Sequence, residues 1–78
     1  MKKYIKASSV GSTWRKSGPN FWTLRTDRGT AEIYKAGPKS FELTVTDGNG
    51  NWLIGPTDLK NNYTSKDEAM RVAENLLN

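Results

Sequence analysis

The 78-residue chain contains no cysteine and no histidine. Without cysteine, no disulfide can staple the fold and no thiolate can hold a metal or attack a substrate. Without histidine, the commonest metal ligand and the commonest general base near neutral pH are both missing. No apolar run approaches the ~20 residues that a membrane-spanning helix needs, so no membrane contact is expected. The opening Met1-Lys-Lys-Tyr-Ile-Lys6 has the basic start of an export signal without its apolar centre, and the expected location is cytoplasmic. No glycine-rich phosphate loop runs into a Lys-Ser/Thr pair. Asp47-Gly-Asn-Gly-Asn51 alternates oxygen-bearing side chains as a calcium loop does. However, the twelfth residue counted from Asp47 is Asp58, where such a loop needs a bidentate Glu. A hairpin turn is the better reading. These absences predict a non-enzymatic chain with no cofactor and no metal.

What remains is charge, aromatics and pattern. Twelve Lys/Arg face eight Asp/Glu, a net charge of +4. The excess is uneven: residues 1–39 hold nine basic and two acidic side chains, and residues 40–78 hold three and six. A basic first half suits an acidic partner, either nucleic acid or an acidic protein surface. The plainer reading is charge carried for solubility. At this length the chain reads as one domain, 1–78, that buries about 60% of its unfolded surface.

The clearest element is the last. Ser65 followed by Glu68 forms a capping box, the hydroxyl accepting a first-turn N–H. Ala69, Val72, Ala73 and Leu76 then repeat at helical spacing. The spacing predicts a helix over about 66–77. A helix this short is marginal alone in water, so its apolar stripe needs a surface to lie on.

Upstream, alternation predicts that surface. Strands are expected at about 21–26, 31–35, 41–46 and 51–55, with a further N-terminal strand at 2–7 as an option. The inward set is Trp22, Leu24, Ala31, Ile33, Phe41, Leu43, Val45, Trp52 and Ile54. A two- or four-residue connection at the Asp27–Thr30 turn is expected to place Leu24 opposite Ile33 and Arg25 opposite Glu32. Asn49-Gly50 marks a hairpin, and Pro56 ends the last strand. Ser8–Asn20 is rich in Ser, Gly and Pro and reads as loop, with Trp14 either a lid on the core edge or a ligand platform. Leu59 and Tyr63 are expected to anchor the crossing to the helix. The fold class is therefore α+β: an antiparallel meander of three to four strands on one C-terminal helix.

The candidate binding residues are Trp14, Arg15, Lys16, Phe21, Arg25, Arg28, Tyr34, Lys35 and Lys39. Basic groups bind phosphates by counterion release, and aromatic faces stack on bases. Glu32 and Glu42 share the outer sheet face and repel phosphate, which directs the expected patch toward the loops Ser12–Asn20 and Asp27–Gly29.

Tyr63-Thr-Ser-Lys-Asp-Glu-Ala69 resembles the Thr/Ser-x-x-Glu-Ala helix start of the arm-type DNA-binding domains of phage and transposon integrases and of plant AP2-like domains. The sheet-then-helix plan is also similar to short proteins of phages and mobile elements. The resemblance implies a three-stranded sheet on one helix that reads a major groove with its open face. The expected function, resting on the basic, aromatic-bearing N-terminal half, is a small nucleic-acid-binding module. The alternative is a protein-interaction module, such as a phage or mobile-element inhibitor or accessory protein, acting as a monomer or weak homodimer.

Overall fold

A computed structural model describes residues 14–78; the optional strand at 2–7, with Lys2, Lys3, Tyr4 and Lys6, lies outside them. The elements are β1 (Trp14–Gly18), β2 (Phe21–Thr26), β3 (Gly29–Gly37), β4 (Ser40–Asp47), β5 (Trp52–Ile54), β6 (Asn62–Tyr63) and α1 (Lys66–Leu76). Strands β1 to β5 form an antiparallel meander in sequence order, and β6 also pairs with β4. The fold is α+β, as the alternation predicts, with two more strands than the four expected.

The first extra strand is β1, which sequence reading assigns to a loop. Its Ser and Gly are poor strand formers, but pairing with β2 sets Trp14 opposite Leu24 and Lys16 opposite Trp22. A register shift between Lys16 and Gly18 absorbs Ser17 as an extra residue. The ladder with β2 and the packing of half-buried Trp14 on the core edge override local propensity here. The second is β6, two residues long, with Tyr63 opposite Phe41.

The β2–β3 register differs from expectation by two residues. Leu24 pairs with Ala31, Trp22 with Ile33 and Arg25 with Thr30. The connection is the two-residue one, Asp27–Arg28 between Thr26 and Gly29, and from that closing pair Leu24 meets Ala31; only a four-residue connection would bring it to Ile33. Within it, the Arg28 N–H donates to Thr26 Oγ1 at 3.0 Å, and that hydroxyl donates to the Gly29 carbonyl at 3.2 Å. A two-residue shift leaves every side chain on its predicted face, so the core is unaffected by it.

One face of the sheet carries Leu24, Ala31, Ile33, Phe41, Leu43, Val45 and Ile54, and α1 covers it with Ala69 and Ala73. The helix lies over β3, β4 and β6. Two alanines on its buried side allow close approach, and the large aliphatics opposite fill the space. Trp14, Trp22, Tyr63, Met70 and Val72 pack around the rim. Ser65 caps the helix as expected, its hydroxyl accepting from the Glu68 N–H at 3.1 Å.

Three inward assignments are corrected. Trp52 is 57% exposed although Ile54, two residues on, is only 6% exposed. A bulge explains it: Val45 pairs with Ile54 but Thr46 pairs with Trp52, so Leu53 is the extra residue and Trp52 turns to the outer face. On the helix, Leu76 is 42% exposed and Leu77 5%. The buried stripe advances by fours through Ala69, Ala73 and the C-cap Leu77, rather than closing on Leu76. Leu59, expected as an anchor, is fully exposed, whereas Tyr63 does pack against the core.

Strands β5 and β6 lie end to end along the same edge of β4. Between them, the Leu43 N–H donates to the Asn61 carbonyl at 2.6 Å.

The β4–β5 connection is held by Asp47. Its Oδ1 accepts from the Asn51 N–H at 2.9 Å and from the Asn49 N–H at 2.8 Å. These bonds, that of Asn51 foremost, hold the carboxyl below its ordinary 3.8. A depressed folded-state value contributes stability that is complete above the unfolded value and is lost as pH falls through the folded one. Asp47→Asn should therefore flatten the loss of stability below about pH 4 without moving the plateau slope above it; urea melts from pH 2 to 6 measure this.

Candidate nucleic-acid interface

The face opposite α1 has no described element on it. Antiparallel pairing aligns its side chains in three cross-strand rows. Arg25, Thr30, Thr46 and Trp52 form one row. Arg15, Thr23, Glu32 and Thr44 form the next. Phe21, Tyr34, Glu42 and Asn62 form the third. Strands stand about 4.8 Å apart, so Phe21 and Tyr34 are side-by-side neighbours. Tyr34 and Trp52 are largely exposed, and Phe21 is half-buried.

Arginine sits on one side of this face. Arg15, Ser17, Thr23 and Arg25 line an open depression over β1 and β2. Its floor is tied by the Ser17 hydroxyl, which donates to Thr23 Oγ1 at 3.0 Å. Glu32 and Glu42 lie further across, on β3 and β4. The face is thus graded from cationic at β1–β2 to anionic at its middle.

The nine candidate residues separate into three groups. Arg15, Phe21, Arg25 and Tyr34 share the outer face. Trp14, Lys16 and Lys35 pair with core-side residues and stand on the helix side instead. There the Trp14 Nε1–H donates to Glu74 Oε2 at 2.8 Å, which ties β1 to α1 and makes this indole a lid on the core edge. Arg28 and Lys39 occupy turns, and Arg28 Nη1 donates to the Asn78 carbonyl at 3.1 Å. The expected loop patch at Ser12–Asn20 is corrected for residues 14–18, because β1 converts it into one side of the sheet face. Trp52 joins this face through the β5 bulge, a feature with no local sequence signal.

Among the described residues, no three acidic groups come together to hold a metal ion, and no helix is long and apolar enough to cross a membrane. No protein family matches the chain, and no curated protein or solved structure matches it at a significant level.

Proposed function

We propose that the chain is a small non-enzymatic module that binds single-stranded nucleic acid on the open face of its sheet. The observation that carries this reading is the shared face of Phe21, Tyr34 and Trp52 with Arg15 and Arg25. Aromatic rings on a flat sheet accept bases by stacking, at about 1–3 kcal/mol per base. Arginine supplies the phosphate contacts that fix the strand. Glu32 and Glu42 repel phosphate, so the backbone runs along the Arg15–Arg25 side while bases point inward over Phe21 and Tyr34.

Anisotropy of a labelled oligothymidine at low salt tests the reading. Micromolar binding is expected, and Tyr34→Ala with Trp52→Ala should weaken it at least tenfold, from two lost stacking contacts of about 1–3 kcal/mol each. Both side chains are exposed, so the double variant keeps its fold. No binding at micromolar protein, or equal binding by the double variant, overturns it.

A second reading has its own observation. Trp52 and Leu53 stand exposed together on β5, an apolar pair suited to a protein surface or a second copy of the chain. A sedimentation mass near twice 8.7 kDa that Trp52→Ala returns to the monomer would favour it.

A further inference from the structure

Lysine is not scattered over the described residues. Of the five at positions 16, 35, 39, 60 and 66, three gather about the Trp22 and Phe41 rings at one end of the sheet. Lys16 and Lys66 come from β1 and from the first position of α1, yet both ammonium groups approach the Trp22 ring, at 5.7 and 4.9 Å from its centroid. Lys35 stands 5.9 Å from the centroid of Phe41, and the Trp22 and Phe41 rings are 6.4 Å apart. Lys39 lies in the turn that follows Lys35. Lys35 also borders an open depression with Asn20, Ala36, Gly37 and Pro38.

Three ammonium groups around two touching rings repel one another. Cation–π attraction to the ring faces holds them there. The rings also restrain the long lysine stems, so less side-chain freedom is lost when an anion arrives. Carboxylates border the cluster as well, on the side of Tyr63, the cross-strand partner of Phe41. Asp58 and Glu68 act on Tyr63, whose phenol is pushed above its ordinary value by burial first and then by these two carboxylates. Glu42 belongs to the outer face, and Asp67 follows Lys66 on the helix.

We propose that this end of the sheet, with Lys16, Lys35 and Lys66 gathered about Trp22 and Phe41, is a second contact surface that takes the phosphodiester backbone of a nucleic acid strand. The proposal rests on the nucleic-acid reading above. It adds phosphate contacts on the helix side of the sheet to the Arg15 and Arg25 contacts and the base stacking of the outer face. A strand leaving the Phe21–Tyr34 row passes over the Pro19–Asn20 turn to reach it.

The test is the salt dependence of oligothymidine binding. For single strands, each phosphate contact contributes about 0.7 to the slope of log K against log salt. The triple variant Lys16→Gln, Lys35→Gln, Lys66→Gln should lower that slope by about two units, and Lys16→Arg, Lys35→Arg, Lys66→Arg should restore it. Far-ultraviolet dichroism checks that both variants are folded. The Tyr34→Ala, Trp52→Ala variant should bind more weakly with the wild-type slope. A lysine variant that loses slope beside an outer-face variant that binds normally keeps this proposal and removes the stacking reading. An unchanged slope in the folded Gln variant overturns this proposal, and weakened binding by the outer-face variant then leaves the stacking reading intact. A wild-type chain that binds no oligonucleotide at low salt overturns both.

Discussion

Leu43→Ala is expected to destabilise the fold by about 3–4 kcal/mol, in the middle of the range for buried Leu→Ala changes. Leu43 is fully buried and lies in the middle of β4, the strand that pairs with β3, β5 and β6 and contacts α1. Its neighbour across β3 is Ile33, itself fully buried. The cavity would be roofed by Ala69 and Ala73, which have no longer side chain to swing into the gap. Relaxation is therefore slight, and the cavity term of the penalty is retained. A domain of this length holds only about 4–12 kcal/mol in total, so the variant approaches the limit of folding at 25 °C. Urea titration measures the loss. Thr44→Ala, one residue along on the outer face, is the control and should fall within about 0.5 kcal/mol of the parent. Equal midpoints for Leu43→Ala and the parent would mean that the wrong face of the sheet is wet.

Gly29→Ala should cost about 3 kcal/mol or more, from backbone strain and overpacking together. Gly29 has φ +152°, a conformation that L side chains rarely adopt. A Cβ there would run into the Thr46 carbonyl oxygen of β4 and would come within 2.9 Å of Leu77 Cδ2. The space that Gly29 leaves empty is thus the space Leu77 fills to close the end of the core. Gly50→Ala separates the two causes. Gly50 has φ +85° but nothing within 4 Å of its would-be Cβ, so that variant bears backbone strain alone, about 1 kcal/mol. Thermal melts should rank parent, Gly50→Ala and Gly29→Ala in that order. If the two variants melt together, contact with β4 is not what makes Gly29 necessary.

Period-two alternation placed Leu24, Ala31, Ile33, Leu43, Val45 and Ile54 on the buried face, because that pattern depends on chain geometry and not on which strands pair. The capping box located the start of α1 for a similarly local reason. What escaped was whatever depends on a distant partner. Strand β1 exists because Trp14 finds Leu24 and Glu74, and neither is visible from Ser17 or Gly18. The β5 bulge reverses Trp52 while leaving its spacing from Ile54 unchanged, so alternation misreads it. The candidate site divided along the same line. Phe21, Arg25 and Tyr34 were legible as outer-face residues from alternation alone, and Arg15 joined them only through β1. The approach of Lys16 and Lys66 to one indole spans fifty residues of sequence and has no local signature.

The placement of β5 and β6 along β4 reaches beyond stability. An uncovered strand flank offers a row of free amides and carbonyls on which another chain can add and start a fibril. Here that flank is broken into a three-residue and a two-residue segment, with the Asn61 carbonyl stopping the gap at Leu43. An incoming strand meets no continuous ladder on this side. The strand that carries Phe41, Leu43 and Val45 is thereby shielded from intermolecular growth by two of the shortest in the molecule.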